Sequence, residues 1–338
     1  MRENHRFDEA ALARWLHDHV EGFRGPVDVR QFRGGQSNPT FWIGGTGGEL
    51  VLRKKPPGLL LPSAHAVDRE HRVMAALDGT EVPVARVAGL CTDDSVIGTT
   101  FFVMEHVRGR IFWDVQLPEL SSDERRAVYD ELVRVLAAIH AVDLEAVGLS
   151  DYGKHGAYVA RQIERWTKQY RSSETERIEP MERLVAWLPR HIPAADESTL
   201  VHGDYRLDNL ILHPTEPRCL AVIDWELSTI GHPIADLAYL CMLYDITMPQ
   251  IGGLLGVDFE ATGIPSEAGL VARYAELTGR TEIPDFAYFK AFGLFRLAAI
   301  VQGVYKRALQ GNASSQNALM YGAAVRHFSD LACTLVPA

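Results

Sequence analysis

The sequence of 338 residues is poor in the features that identify several common protein classes. Its four cysteines lie far apart, at Cys91, Cys219, Cys241 and Cys333. This spacing argues against a disulfide framework or a structural zinc site and is typical of reduced thiols. No apolar run approaches the roughly 18 residues that a membrane span needs, and residues 1–10 lack the apolar segment of a signal peptide. We therefore expect a cytoplasmic protein with no membrane partner.

Basic surface charge and two nucleotide-binding motifs are also missing. The net charge of −10 argues against a nucleic-acid partner, because duplex binding depends on a basic face. An anionic small ligand remains compatible, since local residues set the electric field inside a cleft. Neither a Walker loop nor a G-x-G-x-x-G turn occurs. The sequence therefore gives no support for a P-loop or a dinucleotide-binding fold.

The first hundred residues are predicted to be mostly β-structure with one inserted helix. Gly- and Asn-containing turns at 34–38 and 44–48 separate the first strands. The predicted strands are 27–32, 40–43, 50–53 and 100–105. Helical periodicity marks residues 63–77.

The rest of the chain is predicted to be mainly helical. Ser121 and Glu124 have the spacing of a capping box and predict a helix that runs to about residue 140. Further helices are predicted at 152–170, 234–244, 266–278, 285–309 and 315–333, and strands and turns at 199–225. A β-rich part followed by a helical part predicts an α+β fold. We predict two domains, 1–106 and 107–338.

The segment around residues 200–226 carries the main candidates for chemistry. Two short apolar runs, joined by a polar link at 213–218, predict a β-hairpin. If Leu212 faces Cys219, then Asn209 lies opposite Val222 and near Asp224 at the open end of the hairpin. An amide oxygen and a carboxylate are suitable ligands for Mg²⁺. Asp204 precedes the same end, where it could accept a proton from a substrate hydroxyl.

This segment reads H-G-D-x-x-x-x-N followed by I-D-W-E, and it resembles the aminoglycoside phosphotransferase and choline kinase family. The resemblance covers about residues 32–305 and implies a protein-kinase-like fold with two lobes. It also implies that Asp204 is the catalytic base and that Asn209 and Asp224 hold Mg²⁺ against the phosphates of ATP. G-G-Q-S-N-P-T at 34–40 and L-R-K-K-P-P-G at 52–58 further resemble phosphotransferase domains that are fused to acyl-CoA dehydrogenases.

A second candidate lies in the N-terminal part. Helix 63–77 has a stripe formed by Val67, Glu70, Met74 and Leu77. Glu70 is a charge on an otherwise apolar face and needs a partner, which Arg53 at a strand end can supply. The resemblance implies that Arg53 replaces the usual phosphate-anchoring lysine, although Lys54 or Lys55 could share that role.

Backbone groups are expected to contribute the remaining nucleotide contacts. The resemblance implies that the turn containing Gly35, Ser37 and Asn38 covers the phosphates of the nucleotide. The alternative is that this segment is an ordinary hairpin turn. Residues 101–107 resemble the hinge between the lobes of the family. There the backbones of Glu105 and Val107 would hydrogen-bond adenine.

Four more charged residues are candidates for a role at or near the site. Arg206 could stabilise charge on the transferred group, or it could pair with Asp208. Arg296 lies in an apolar helix and must meet either a carboxylate or an anionic ligand. Glu226 is an acidic candidate for the substrate pocket. Asp236 resembles a family residue that braces the catalytic loop.

These residues predict an ATP- and Mg²⁺-dependent kinase that phosphorylates a hydroxyl group of a small molecule. The resemblance implies a hydroxylated metabolite such as a hydroxyacyl-CoA at least as strongly as an antibiotic. Arg206 and Arg296 would oppose a polycation and therefore favour a neutral or anionic acceptor. The alternatives are an aminoglycoside kinase, a catalytically silent nucleotide-binding module and a metal-dependent phosphohydrolase.

Overall fold

The computed structural model describes residues 5–32, 38–56, 66–246, 252–310 and 321–337. The chain forms two compact units. Unit 1 contains Met1–Ile111, Val147–Leu149 and Asn209–Ser228, and unit 2 contains Phe112–Ala146, Ser150–Asp208 and Thr229–Ala338. The predicted hairpin thus belongs to unit 1 rather than to the C-terminal part of the chain. The domain boundary at residues 106 and 107 stays a prediction.

Unit 1 is built on a five-stranded antiparallel sheet with the strand order β1-β2-β3-β5-β4. The strands are β1 Arg24–Gln31, β2 Thr40–Thr46, β3 Gly48–Lys54, β4 Val87–Cys91 and β5 Phe101–Glu105. Three helices accompany them: α1 Glu9–His19, α2 Val67–Leu77 and α3 Asp94–Ile97. The strand predictions are confirmed, and α2 confirms the part of the predicted helix that the structure describes.

Helix α1 was missed in the sequence analysis. Asp8 caps its first turn by accepting hydrogen bonds from the backbone amides of Ala10 and Ala11. The helix buries Leu12, Trp15 and Leu16, which have the i, i+3, i+4 spacing of one helical face. The Trp15 ring packs edge-on against Phe101 of β5 at 4.9 Å between centroids. This spacing of apolar residues was present in the sequence, but its three positions lie within little more than one helical turn.

The turn between β2 and β3 is shorter than predicted. Gly45 pairs with Gly48, so only Thr46 and Gly47 connect the two strands. Gly47 has a φ of 108°, and a Cβ atom there would lie 2.1 Å from the carbonyl oxygen of Gly22. Glycine is required at this position for both reasons.

Unit 2 is mainly helical. Its helices are α4 Ser122–His140, α5 Tyr158–Ser173, α6 Glu179–Trp187, α7 Pro233–Cys241, α8 Phe259–Thr262, α9 Glu267–Leu277, α10 Phe286–Leu309 and α11 Tyr321–Thr334. Two short strands, β6 Thr199–Val201 and β9 Thr229–Gly231, pair antiparallel. The predicted capping box is confirmed, because Ser121 and Glu124 each accept the other's backbone N–H.

Helix α10 is the central buried helix of unit 2. It is the one helix in the described part of the chain that is long and apolar enough to cross a membrane, and 78% of its apolar window is buried inside the protein. Its strongest helix contacts are with α5, α7 and α11. These contacts explain its composition as that of a core helix.

Candidate active site

The hairpin of unit 1 is formed by β7 Leu210–Leu212 and β8 Cys219–Val222. Leu212 pairs with Cys219 as predicted, but Leu210, not Asn209, lies opposite Val222. The predicted register is therefore wrong by one residue at the open end. The cause is a β-bulge in which Leu220 is the extra residue of β8. The amide of Ile223 donates to the carbonyl oxygen of Asn209 at 2.9 Å. Because of the bulge, Asn209 pairs with the residue directly before Asp224, one position closer to Asp224 than predicted.

Asp224 follows β8 in an unusual backbone conformation. Its φ and ψ of 68° and 52° are left-handed, which is uncommon for a residue other than glycine and often marks a functional constraint. The next residue, Trp225, is buried, and its Nε1–H donates to the carbonyl oxygen of Val222 at 3.0 Å. This anchor fixes the turn and leaves the Asp224 side chain about one-third exposed.

Three carboxylates surround the guanidinium of Arg53. Arg53 Nε lies 2.9 Å from Glu70 Oε2, which confirms the predicted pair. Arg53 Nη2 also contacts Asp224 Oδ1 and lies 3.5 Å from Glu226 Oε2. Glu70 comes from the buried stripe of α2, as expected.

Strand alternation turns Lys54 away from Arg53, and Lys55 lies beyond the end of β3. Lys54 is buried, with its ammonium 5.6 Å from the centre of the Phe7 ring. Lys55 Nζ pairs with Asp68 at 3.6 Å. Of the three cations that the sequence left open, Arg53 is the one in the carboxylate cluster.

This cluster has an excess of negative charge. Burial raises the pKa of Glu70 to about 8, and Asp224 and Glu226 act in the same direction, whereas Arg53 opposes them. Burial alone would lower the pKa of Arg53, but the carboxylates outweigh it and raise that pKa. One guanidinium is thus shared among three acids in a largely water-excluded place.

The donor set of unit 1 fits Mg²⁺. Asp224 contacts Arg53 through one carboxylate oxygen, and the same unit contains the amide side chain of Asn209. Among the described residues, no group of three or more His, Cys, Asp or Glu side chains is arranged to hold a metal. Mg²⁺ does not require such a group, because it takes one or two protein ligands together with phosphates and water.

Glu226 has a different environment from the one predicted. It accepts a hydrogen bond from Asn38 Nδ2 at 3.3 Å, and Asn38 is 2% exposed. Glu226 therefore lies with Arg53 and Asn38 in the charged cluster of unit 1. The other predicted turn residues, Gly35 and Ser37, lie outside the described residues.

The predicted hinge residues lie at the end of β5. The amide of Glu105 donates to the carbonyl oxygen of Arg86 at 2.8 Å, so this amide is already engaged. The Glu105 side chain is exposed, while Val107 is half-buried. The contacts of these two residues with adenine stay a prediction.

Unit 2 contains the H-G-D part of the motif. Asp236, on α7, accepts hydrogen bonds from the amides of His202 at 2.6 Å and Gly203 at 3.0 Å. Burial alone would raise the pKa of Asp236, but hydrogen bonding and the charge of His140 outweigh it and lower that pKa. The backbone brace that the sequence predicted is present.

The two arginines of unit 2 have partners within the protein. Arg206 pairs with both oxygens of Asp208, with Nε 3.0 Å from Oδ1. Of its two interpretations, this is the ion pair with Asp208 rather than stabilisation of the transferred group. Arg296 donates to the carbonyl oxygen of Gly203, and its guanidinium lies over the rings of Tyr239 and Trp166 at 4.9 and 5.5 Å. These contacts differ from the predicted partner of Arg296, which was a carboxylate or an anionic ligand.

Tyr239 was not recognised from the sequence. Burial and the charge of the Asp204 carboxylate raise the pKa of its hydroxyl. It lies three residues after Asp236, so both side chains leave the same face of α7. This spacing was the only signal in the sequence.

Comparisons with known proteins agree with this geometry. The model of the phosphotransferase enzyme family, APH, matches residues 28–276. The chain belongs to this family. The predicted protein-kinase-like fold is confirmed, since solved aminoglycoside phosphotransferases share it.

Individual relatives place this phosphotransferase family member more narrowly. It is 48% identical over 310 residues to acyl-CoA dehydrogenase family member 10 of Mus musculus, covering 91% of the chain but 29% of that relative. A solved Ralstonia eutropha protein, described as a candidate aminoglycoside phosphotransferase, is 52% identical with a TM-score of 0.90 and 98% coverage of both chains. A thermostable mutant of aminoglycoside phosphotransferase APH(4)-Ia, in a ternary complex with ADP and hygromycin B, is 16% identical with a TM-score of 0.63 and coverage of 97% and 99%. The predicted resemblance to domains fused to acyl-CoA dehydrogenases is confirmed.

Proposed function

We propose that this phosphotransferase transfers the γ-phosphoryl group of ATP, in the presence of Mg²⁺, to a hydroxyl group of a small molecule. The observation that carries the proposal is the cluster in which Arg53 faces Glu70, Asp224 and Glu226. Its excess negative charge suits a divalent cation, and its buried arginine suits a phosphate. The nucleotide complex of the distant APH(4)-Ia structure supports nucleotide use within this fold.

Each candidate residue has a role in this proposal. Arg53, held by Glu70, orients the phosphates of ATP, and Asn209 and Asp224 hold the metal. Bound Mg²⁺ would neutralise charge on the phosphates. Asp204 accepts the proton of the attacking hydroxyl, whose oxygen bonds to the γ-phosphorus while the bond from that phosphorus to the β,γ-bridging oxygen breaks and ADP leaves. In the same proposal, the backbone at Glu105 and Val107 contacts the adenine of the nucleotide.

A hydroxyacyl-CoA or a related anionic metabolite is the acceptor that we favour. Arg206 lies two residues after Asp204, and Arg296 donates to the carbonyl oxygen of Gly203, the residue before Asp204. Two cations near Asp204 disfavour a polycationic acceptor. The similarity to an acyl-CoA dehydrogenase family member points the same way, although the chain spans less than a third of that relative. Because the engagement of Arg206 with Asp208 reduces its free charge, an aminoglycoside acceptor is the alternative to test.

A screen for phosphoryl transfer tests the proposal. Purified protein is incubated with Mg²⁺ and γ-labelled ATP, and with hydroxyacyl-CoAs, amino alcohols or aminoglycosides as acceptors. Label is expected in a hydroxyacyl product, and label in an aminoglycoside would support the alternative. Nucleotide binding without any transfer would instead indicate a catalytically silent module, and release of phosphate from phosphate esters without ATP would indicate a phosphohydrolase.

A further inference from the structure

Helix α5 carries two arginines on one face. Arg161 and Arg165 lie four residues apart, and like charges at this spacing destabilise a helix. Arg161 donates to the carbonyl oxygens of Gly156 and Lys154, and the Arg165 guanidinium lies 5.3 Å from the centre of the Trp166 ring. In the part of the chain that the structure describes, neither guanidinium forms an ion pair with a carboxylate. The two charges are therefore not offset by a salt bridge.

Helix α10 adds a third positive charge to this place. The Arg296 guanidinium lies 5.5 Å from the centre of the Trp166 ring, the same ring that Arg165 contacts. Arg296 is 7% exposed, and its Nε has no hydrogen-bond partner. It forms no ion pair with any carboxylate of the described residues. A buried charge is costly unless it is paired, so an anionic ligand beside Arg296 would be stabilised.

The charges that act on Tyr158, the first residue of α5, show the same excess. Burial raises the pKa of its hydroxyl to about 12, and the charge of Asp236 acts in the same direction. Three arginines oppose this shift: Arg296, Arg165 and Arg161. Asp236 itself accepts hydrogen bonds from two backbone amides of the H-G-D segment. Positive charge thus outnumbers negative charge around this end of α5.

This group of arginines lies beside the H-G-D segment. Arg296 donates to the carbonyl oxygen of Gly203, the residue before Asp204. Its guanidinium also lies 4.9 Å from the centre of the Tyr239 ring on α7. All of these residues belong to unit 2. An acceptor whose hydroxyl reaches Asp204 can therefore place another of its groups against α5 and α10.

We propose that Arg165 and Arg296, with Arg161 beside them, bind a phosphate group of the acceptor. The proposal rests on the function proposed above, because it concerns the acceptor of that reaction. A phosphate monoester carries about −1.5 to −2 charges at pH 7, so one such group offsets two guanidinium charges, which one carboxylate cannot do. A guanidinium also matches the oxygens of a phosphate in a bidentate geometry.

The arginines contribute to this site in different ways. Arg165 is exposed, so it can contact the phosphate directly. Arg296 is buried and contributes positive potential from the interior. The family match assigns no role to Arg165. Its substitution is the sharper test, because an exposed side chain can be replaced with little effect on the fold.

The compounds 4′-phosphopantetheine and pantetheine form a matched pair of probes, because they differ in one phosphate and neither carries a nucleotide. Calorimetric titration of the whole chain should show tighter binding of 4′-phosphopantetheine, by a margin that shrinks as the ionic strength rises. In Arg165→Gln, its Kd should rise about 10-fold, as expected for losing a hydrogen bond to a charged group. The affinity for pantetheine should not change. Equal affinity of the wild type for the two probes would overturn the proposal.

Arg190→Gln is the matched control. Arg190 is an exposed arginine of unit 2, in the short 3₁₀ turn Leu188–Arg190, and it forms no ion pair with the described residues. This variant should bind both probes like the wild type. Arg165→Lys should keep part of the affinity for 4′-phosphopantetheine, since it keeps the charge. Equal losses in Arg165→Gln and Arg190→Gln would indicate a general attraction of anions and would also overturn the proposal.

Kinetics separate this phosphate site from the proposed function. With ATP, Mg²⁺ and a phosphate-bearing acceptor found in the screen, Arg165→Gln should raise the KM for the acceptor about 10-fold, with a smaller effect on kcat. A wild-type KM for that acceptor would contradict the phosphate site and leave the proposed phosphoryl transfer standing. Binding of 4′-phosphopantetheine that depends on Arg165, without any phosphoryl transfer, would instead count against the proposed function.

Discussion

Arg53 presents two different nitrogens of one planar guanidinium to three carboxylates. Its planar guanidinium reaches Glu70 through Nε and both Asp224 and Glu226 through Nη2. A lysine ammonium is a compact point charge and cannot present separate edges to separate acids. The departure from the lysine of the family pattern therefore fits the surroundings of residue 53.

Substitutions of Arg53 and Glu70 test the phosphate-anchoring role. Arg53→Ala should raise the KM for ATP more than Arg53→Lys does, because the lysine keeps the charge. Glu70→Gln should also raise this KM, since the guanidinium loses one of the groups that aim it. Steady-state kinetics with varied ATP at fixed Mg²⁺ measure these effects. Wild-type KM values in both Arg53→Ala and Glu70→Gln would exclude the role.

Glu70 should also make stability depend on pH. Its pKa of about 8 in the folded protein lies above the ordinary value of 4.5, so the folded state binds the proton more tightly than the unfolded state. This contribution to stability is fully present below about pH 4.5 and is lost as the pH rises to about 8. The groups that face Glu70 are Arg53, Asp224 and Glu226.

Urea unfolding at several pH values between 5 and 8 measures this effect. Relative to the wild type, Glu70→Gln should gain stability as the pH rises, because glutamine cannot ionise. Glu282→Gln, at an exposed position, is the matched control and should follow the wild type. Parallel curves for the wild type and Glu70→Gln would show that Glu70 does not titrate in this range.

Asp204 is the residue on which turnover depends in the proposed mechanism. Asp204→Asn should keep the fold and nucleotide binding but lower kcat about 10²- to 10⁴-fold, the usual contribution of a positioned general base. Asp130→Asn serves as a control, because Asp130 is half-exposed and pairs with Arg273 away from the motif. Near-normal turnover of Asp204→Asn would remove Asp204 from the base role.

Among the elements, the β7–β8 hairpin sets the spacing of the metal ligands. The extra residue Leu220 shifts the register, so that the backbone of Asn209 pairs with Ile223 beside Asp224. A regular ladder would have put Val222 opposite Asn209 and moved the two ligands further apart. The bulge is therefore part of the site rather than a defect of the hairpin.

Helix α4 offers a test of stability that is separate from catalysis. Ser121→Ala removes one half of the capping box and should lower the free energy of unfolding by about 0.5–2 kcal/mol. The KM for ATP should not change. Ser122→Ala, at the neighbouring exposed position, keeps the cap and should cost little. Equal stability of the two variants would show that the capping box contributes nothing measurable.

At the scale of the whole molecule, ligand binding should appear as added stability. ATP at 100 times its Kd stabilises a folded protein by about 2.7 kcal/mol, if it does not bind the unfolded chain. We expect the midpoint of thermal unfolding to rise with ATP and Mg²⁺ together and much less with ATP and EDTA. Asp224→Ala should abolish the Mg²⁺-dependent part. An unchanged response in that variant would count against the hairpin-end metal site.

The sequence by itself determined the fold class, most of the elements and the chemistry of the motif. Periodicity and turn residues are local signals, so strands, long helices and the α4 capping box could be predicted from them. The Arg53–Glu70 pair was also predictable, because a single charge on the apolar stripe of α2 requires a partner. Helix α1 has 11 residues, as α2 has, but it was missed because it buries three residues where α2 buries five, which gives a weaker periodic signal.

Only the tertiary structure decided which groups meet. The sharing of Arg53 among three carboxylates joins segments that are distant in sequence, and the bulge at Leu220 changes the register of the hairpin by one residue. Local patterns carry no information about such distances. Arg296 shows this most clearly. Its burial predicted a partner, but a backbone carbonyl and two aromatic rings satisfy it, because α10 packs against α5, which carries Trp166, and against α7, which carries Tyr239.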